Sequence, residues 1–405
     1  MAGRRRAVVS EADIRGLRFF DRLLPLLRRL HDVGCARDRA GNRDLFFDEY
    51  CLFFLLAMFN PIAASLRGLQ QASELPKLQQ RLGVKRFALG SFSEAASVFD
   101  PQPLCELVAE FAASLPPPSN APELRDLNEI VTLVDGTILT ALPRIAKMFW
   151  GGQSTGRRNF AWRLHTEFEI LRGLPSKFTL TEPKNGGDAH ERRVLQKNLQ
   201  SGRCYVTDRG YQAAWLFNDI VDAGSSYVCR IQENARFEVE HANELSAEAR
   251  RQGIVQDAVV KFTGDRAGKL NHACRVITLE ITPHVKRSGH KGDAGPPSKG
   301  LLLIATNLLD VPAEIIALLF RYRWQIEIFF RFFKCVLGCS HLLSHRSEGV
   351  EIQTYCALLA CLLITLWSGR KPTKRTHEMF CWYFLGLADE DDLARHFRKL
   401  EPLAS

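Results

Sequence analysis

The sequence predicts an α/β fold, with a mixed β-sheet flanked by helices, an all-helical domain before it and a β-rich insertion within it. Apolar residues follow a helical period up to about Leu115, a run of prolines comes next, and short apolar runs typical of buried strands follow. The expected units are an N-terminal helical domain that binds DNA ends (1–120), the first part of the sheet (121–226), the β-rich insertion (227–300), the second part of the sheet (301–346) and a C-terminal helical region (347–405).

Five helices are predicted before Leu115. The first follows a capping-box-like pair, Ser10 and Asp13, and runs to Leu30 with arginines on its outer positions. The second, 44–59, is apolar almost all round. The other three are expected after Pro61, near Ser91 and at Pro103. The arginines fit either a DNA-reading module or a solvated charged surface, since the sequence has no clear helix-turn-helix signature.

The segment 115–120, LPPPSN, is a linker, because three consecutive prolines cannot continue a helix. Beyond it, 130–134 is a buried-type strand that ends in Asp135-Gly-Thr, and 204–207 is another that ends in Asp208-Arg-Gly. The remaining elements of this part are a hairpin of 160–171 with 177–181, a helix over 188–199 and a helix over 211–221. This order of strands and helices is typical of an α/β unit with a mixed sheet.

Strand-like segments alternate from 227 to 282 and are followed by a basic loop rich in glycine and proline, 284–299. We interpret them as a β-rich insertion whose loop is mobile or binds phosphate. The strand 301–306 then resumes the sheet. One long helix beginning at Pro312 and a last one over 348–367 complete the prediction.

The composition is that of a soluble globular protein, with 405 residues of which 46% are hydrophobic and 24% charged. A net charge of +9 and a pI of about 9.0 favour an acidic polymer as the partner over a small cation, although many soluble proteins are mildly basic. Eleven cysteines without paired spacing, and no apolar segment behind the N-terminal arginines, indicate reduced thiols in a cytoplasm.

Two further patterns have ordinary explanations. A C-x3-C-x-H-x3-H cluster suggests zinc, but its spacing differs from that of the usual zinc pairs, and core-like helical spacing is favoured. Its residues are Cys335, Cys339, His341 and His345. The apolar run 355–367 is too short to span a bilayer without its polar neighbours, so we expect a buried helix and no membrane contact.

The stretch 320–334, FRYRWQIEIFFRFFK, combines charges with many apolar residues. On an ideal helix, Arg323 four residues before Glu327 and Lys334 seven after it project from one side. The other residues are so apolar that the helix must be buried on several faces. Either a site for a metal ion and a phosphate, or an ordinary ion-paired buried helix, explains this pattern.

Three carboxylates far apart in the sequence could share one site. Asp135 and Asp208 each follow a short apolar strand, where side chains emerge into a cleft, and Glu327 lies on the helix. Either aspartate alone could be an ordinary turn residue. Together the three supply the hard oxygen ligands that two divalent cations need, with positions left for water and phosphate oxygens.

The acids Asp135, Asp208 and Glu327, with Arg323 and Lys334 around the last, resemble the DDE transposases of bacterial insertion sequences, in the group with a Y-R-E-K signature. The resemblance covers about 128–360. It includes VDGT at 134–137, TDRG at 207–210 and WQIE at 324–327.

Two departures from the family pattern concern aromatic residues. Phe320 stands where the signature has a tyrosine, so the hydrogen bond of that hydroxyl to a phosphate is lost. The insertion also has no tryptophan to stack on a flipped base, although Tyr227, Phe237 and Phe262 could substitute. Strand cleavage and transfer are therefore better supported than an excision route through hairpins.

The resemblance implies an RNase H-like sheet with Asp135 on its first strand, Asp208 on its fourth, and Glu327 on a helix after the insertion. It implies metal-dependent cleavage at transposon ends and strand transfer, with two Mg²⁺ or Mn²⁺ ions held by these acids. The residues expected to contact DNA phosphates are Arg323, Lys334 and, with less support, Arg209.

The implied partners are double-stranded DNA, both as terminal inverted repeats and as target, and a second copy of the chain in a synaptic homodimer. No small-molecule cofactor is expected, and the site of action would be the nucleoid in a bacterial cytoplasm. Two alternatives stay open. One is a stand-alone RNase H-like nuclease, and the other is an inactive transposase-derived DNA-binding protein whose acids are only ion-paired.

Overall fold

The computed structural model describes residues 23–33, 38, 41, 43–60, 65–114, 124, 127–140, 161–181, 190–263, 269–281, 300–337, 344 and 346–400. Nine strands in these residues form one sheet. They are β1 (Ile130–Thr140), β2 (Ala161–Glu169), β3 (Leu174–Thr181), β4 (Arg203–Thr207), β5 (Ser226–Ile231), β6 (Phe237–Ala242), β7 (Ile254–Phe262), β8 (Cys274–Glu280) and β9 (Leu301–Thr306).

Helices surround this sheet in sequence as well as in space. The described helices are α1 (Leu24–Arg28), α2 (Phe47–Phe59), α3 (Leu66–Ser73), α4 (Pro76–Leu82), α5 (Leu89–Val98), α6 (Gln102–Ser114), α7 (Glu191–Asn198), α8 (Ala214–Asp222), α9 (Ala247–Arg251), α10 (Ala313–Tyr322), α11 (Trp324–Arg331), α12 (Ser347–Ser368), α13 (Lys374–Phe384) and α14 (Glu390–Lys399). A short 3₁₀ turn covers Arg209–Tyr211, and a π-helix covers Phe332–Val336.

The strand order is β3-β2-β1-β4-β5-β9-β8-β7-β6. β1 is antiparallel to β2 and parallel to β4, and β5 is parallel to β4. The remaining pairs, which are β2 with β3 and those from β5 through β9, β8 and β7 to β6, are all antiparallel. The predicted mixed α/β sheet is confirmed, and the β-rich insertion between Asp208 and Glu327 extends this same sheet.

Both faces of the sheet are covered, because successive side chains of a strand point to opposite faces. Leu133 and Val206 join a core with α10, α11, α12 and the N-terminal helices. Val134 and Tyr205, one position away on the same strands, join a second core with α7 and α8. The continuous apolar runs of β1 and β4 follow from this double burial.

The N-terminal helices share their core with the C-terminal ones. The ring of Trp367 on α12 lies 5.6 Å from that of Phe59 on α2 and 4.8 Å from that of Phe380 on α13. By length and composition, α12 is the one helix among the described residues that could cross a membrane, and 83% of its apolar window is buried inside the protein.

The helix predicted from Pro312 through Lys334 is not continuous, which corrects our expectation. It breaks at Arg323, whose backbone N–H donates to the Phe320 carbonyl at the three-residue spacing of a tighter turn. After Arg331 the helix widens into the π-helix, where the ring of Phe333 packs 6.0 Å from that of Phe178 on β3. The segment is therefore three consecutive helical pieces and not one uniform α-helix.

Smaller differences concern helix starts. α5 begins after Ala88 rather than at Ser91, and α4 was not predicted. Several predictions concern residues or side chains outside the described part of the chain: the first helix up to 22, the linker 115–120, the loop 284–299, and the cluster of Cys335, Cys339, His341 and His345.

Candidate active site

Asp135 and Asp208 lie side by side at the junction of β1 and β4. The last parallel pair between the two strands joins Leu133 to Val206, and each aspartate comes two residues later. Asp135 is still within β1, so its side chain leaves the sheet on the face of Leu133. Asp208 follows the last residue of β4, and its carboxylate is near enough to raise the pKa of Asp135. Two acids 73 positions apart in sequence thus become neighbours through strand register.

Asp135 does not end its strand, contrary to our expectation. β1 continues to Thr140, paired only with β2, while its ladder with β4 stops at Leu133. The opening beside Asp135 exists because β4 is the shorter strand. Asp208 follows β4 directly, and its Oδ1 accepts a hydrogen bond from the Gly210 N–H at 2.7 Å, which caps the 3₁₀ turn.

Glu327 reaches this junction from α11. Arg323 donates from Nη2 to Glu327 Oε1 at 2.7 Å, and its Nη1 lies 3.6 Å from Asp135 Oδ2. One guanidinium therefore joins the strand acid to the helix acid. The site is partly open, since the three side chains Asp135, Arg323 and Glu327 are 24%, 19% and 32% exposed.

The environment of Asp135 disfavours its negative charge. Burial raises the pKa of this carboxyl to about 6, and the nearby carboxylates of Asp208 and Glu191 add to the increase. The Gly136 N–H and the Arg323 guanidinium oppose it. Several acids crowded at one partly buried point are typical of a site that binds a cation.

Of the predicted phosphate-contacting residues, Arg323 and Arg209 lie at this junction. Arg323 is in the centre, with its Cζ 5.7 Å from the ring of Phe320, the residue in the tyrosine position. Arg209 is exposed on the 3₁₀ turn directly after Asp208. Lys334 is half-buried in the π-helix. The prediction that Lys334 projects from the same side as Glu327 assumed a regular α-helix, and a π-helix has a different number of residues per turn.

Sequence reasoning missed a second arginine–carboxylate pair at the junction. Glu191, the first residue of α7, accepts a hydrogen bond from Arg163 Nη1 of β2 at 3.1 Å. Nearby, Tyr211 is 1% exposed at the end of the 3₁₀ turn. In the sequence, Glu191 falls in the first turn of the helix predicted over 188–199, a usual place for an acidic residue, so the pattern gives no separate sign of this site.

The donor set fits a divalent metal, because carboxylate oxygens are the ligands that Mg²⁺ and Mn²⁺ prefer. Among the residues described, no three acidic, histidine or cysteine side chains already stand at ligand spacing. Asp135 and Glu327 are instead drawn to Arg323. Binding of a cation would therefore require this guanidinium to move.

The comparison with known families decides the identity of this domain. The model of the transposase DDE domain matches residues 127–363, more than half of the chain. The chain belongs to this family. Its DDE domain runs from the start of β1 into α12 and contains all three candidate acids.

Relatives of the DDE domain are bacterial proteins named as transposases. The protein y4zB of Sinorhizobium fredii is 26% identical over 243 residues, which are 60% of this chain and 62% of that protein. A protein of Geobacillus stearothermophilus, named for the insertion sequence element IS5377, is 23% identical over 53% of this chain and 51% of its own length. The chain thus spans between about half and three-fifths of these relatives.

A solved structure with a similar course is a piggyBac transposase in a synaptic complex with hairpin DNA. It is 10% identical, with a TM-score of 0.47, and the match covers 99% of this chain and 87% of that one.

Proposed function

We propose that the protein is the transposase of an insertion sequence, which cuts DNA at the ends of its element and joins the freed 3′ hydroxyls to target DNA. The observation that supports this most is the junction of β1 and β4, where Asp135 and Asp208 each follow the last paired residues by two positions and Arg323 joins Asp135 to Glu327. The junction lies within the DDE domain.

Asp135, Asp208 and Glu327 would hold two divalent ions, Mg²⁺ or Mn²⁺. Bound there, the ions would activate the attacking oxygen and stabilise the leaving oxygen of a phosphate displacement. The chain needs no covalent nucleophile for this reaction. The chain itself contributes partly buried carboxylate oxygens, which are hard donors, near the end of β4.

Arg323 would exchange its carboxylate partners for a DNA phosphate when the site is filled. A guanidinium can bind a phosphate through two parallel hydrogen bonds, which suits the in-line geometry that cleavage needs. Arg209 and Lys334 would contact neighbouring phosphates, since Arg209 is exposed beside Asp208 and Lys334 follows the Glu327 helix.

The finer parts of the proposal rest on sequence. The spacing of Arg323, Glu327 and Lys334 supports membership of the Y-R-E-K group, with Phe320 in place of its tyrosine. We retain the division at 120, 226, 300 and 346, with the N-terminal helices binding the terminal inverted repeats. Pairing two ends requires at least a dimer on DNA, and the reaction would take place on the nucleoid in a bacterial cytoplasm.

The test uses the purified protein, Mg²⁺ or Mn²⁺, and a plasmid carrying the reading frame with its flanking inverted repeats. D135N, D208N and E327Q should each abolish end cleavage while DNA binding is retained, because each removes one anionic ligand. D219N is the matched control, since Asp219 on α8 accepts from Gln196 and lies outside the junction. Near-normal cleavage by any of the three variants refutes the assignment of that residue.

Strand-transfer products separate the proposal from its first alternative. A stand-alone nuclease would cut the plasmid without joining the ends to a second DNA. The other alternative, an inactive DNA-binding protein, predicts that calorimetry detects no binding of divalent metal with or without DNA.

A further inference from the structure

Glu191 lies between Gly136 of β1 and Gly210 of the turn after β4. A Cβ placed on Gly136, the residue after Asp135, would be 3.0 Å from Glu191 Oε1. A Cβ placed on Gly210, two residues after Asp208, would be 3.7 Å from Glu191 Oε2 and 2.9 Å from Asp208 Oδ1. Gly136 and Gly210 both stand where a side chain would crowd this carboxylate, so Glu191 lies against the junction from the α7 side of the sheet.

Glu191 is held in the same manner as Glu327. Arg163 of β2 donates to Glu191 at 3.1 Å, as Arg323 donates to Glu327 at 2.7 Å. Arg192, the next residue on α7, donates from Nε to the Gly210 carbonyl at 2.7 Å and ties the helix start to the turn after Asp208. The junction is therefore bordered by two arginine–glutamate pairs, one from α11 and one from α7.

A buried hydroxyl provides an independent sign that the junction takes up a ligand. Tyr211 is 1% exposed, and its Oη has no hydrogen-bond partner among the described residues. Burial raises the pKa of this phenol, and the negative charges that add to the shift are those of Glu191, Asp135 and Asp208. A buried hydroxyl without an acceptor is costly, which points to an oxygen that arrives with a ligand.

We propose that Glu191 is a fourth carboxylate ligand of the divalent-metal centre, with the Tyr211 hydroxyl donating a hydrogen bond to an oxygen of the filled site. This inference rests on the proposed function, because it concerns the same centre. It differs in assigning a ligand to the helix after the β2–β3 hairpin, in addition to the two strands and α11.

The competing explanation is that Glu191 only forms an ion pair that holds α7 on the sheet. Glu169 supplies a matched comparison. It lies on β2 as Arg163 does, and it is paired with Arg203 at 3.0 Å and with Arg172 at 3.2 Å. Its register partner on β1 is Thr132, three residues before Asp135, so it is an ion-paired glutamate away from the junction.

The experiment measures Mn²⁺ binding to the full chain without DNA, by electron paramagnetic resonance of free Mn²⁺ and by calorimetry, so no catalysis is needed. We expect E191Q to weaken Mn²⁺ binding by about tenfold or more, since removing a ligand or its immediate support costs affinity on this scale. E169Q should bind Mn²⁺ as the unaltered protein does. Circular dichroism and thermal melting of both variants check that they are folded.

E191D provides a second test should E191Q not fold. It keeps the charge that faces Arg163 but withdraws the carboxylate by one methylene, so Mn²⁺ binding should again weaken while the fold is kept. Unchanged Mn²⁺ affinity in either folded variant overturns the inference.

The outcome is separable from failure of the proposed function. If the unaltered protein binds no Mn²⁺, the metal centre itself is refuted. If D135N loses Mn²⁺ binding while E191Q retains it, the centre stands with three acids and only the role of Glu191 is refuted.

Discussion

Arg323 pairs with both Asp135 and Glu327, the two acids to which the proposed function assigns a cation. R323A removes this competing charge, so the affinity for Mn²⁺ should rise severalfold, because two carboxylates lose a positive neighbour. Cleavage of plasmid ends should fall by about tenfold or more, because the phosphate clamp is lost. Mn²⁺ titration and the cleavage assay measure the two effects separately.

The control for R323A is R395A on α14, whose guanidinium pairs with Asp392 on the surface. R395A should change neither the affinity for Mn²⁺ nor the cleavage of plasmid ends. Weaker Mn²⁺ binding by R323A would contradict our account, because it would mean that the guanidinium arranges the carboxylates for the metal.

Glu167 on β2 provides a pH-dependent prediction outside the candidate ligands. It is 4% exposed, its Oε1 has no hydrogen-bond partner among the described residues, and burial raises its pKa to about 7 despite Lys177 and Arg203 nearby. The folded protein thus holds this proton more tightly than the unfolded chain, whose glutamate titrates near 4.5. The free energy of unfolding should therefore decrease as pH rises from about 4.5 to above 7.

E167Q removes this titration. At pH 8 the variant should be more stable than the unaltered protein by about 1–3 kcal/mol, and at pH 4.5 the difference should be small. Urea denaturation at the two pH values measures it. Equal stability of the two proteins at pH 8 would show that the carboxylate is well solvated or paired in solution.

At the scale of elements, α12 is the helix on which the N-terminal and C-terminal helices pack. Leu359 at its centre is 0% exposed, whereas Leu366 is half-buried. L359A should lower the free energy of unfolding by about 2–5 kcal/mol, the usual cost of a cavity in a core, and L366A should cost less. Urea denaturation measures both, and equal costs would contradict the burial of α12 inside the protein.

The predicted long helix is divided into α10 and α11. The sequence predicts one helix over 312–334, because the apolar period continues through Arg323. The backbone hydrogen bonds change from the α-helical pattern at Arg323 and again after Arg331, where the π-helix begins. The pairing of Arg323 with Glu327 survives because both residues lie within the same turn.

For the whole molecule, the net charge of +9 predicts that DNA binding weakens as salt increases. K334A should weaken binding to the element ends and reduce the slope of log affinity against log salt by about one, as expected for one lost phosphate contact. K374A is the control, since Lys374 is exposed on α13 beside Glu378. An unchanged slope in K334A would remove Lys334 from the DNA interface.

The sequence alone predicts a mixed α/β fold, which the structure confirms, and it proposes three acids for one site. These follow from local signals: apolar runs of strand length, the helical period, and the spacing of Arg323, Glu327 and Lys334. The pattern of apolar residues indicates whether each segment favours a helix or a strand, and here these local preferences agree with the fold.

The spatial arrangement of the three acids is seen only in the three-dimensional structure. The pairing of β1 with β4 brings Asp135 near Asp208 where β4 ends, and the pairing of Arg323 links Asp135 to Glu327 on α11. The three-dimensional structure also placed Glu191 and Tyr211 at the same junction, which no spacing along the chain indicates. The physical reason is that register, strand length and cross-sheet contacts depend on residues distant in sequence, whose pairing a local pattern does not encode.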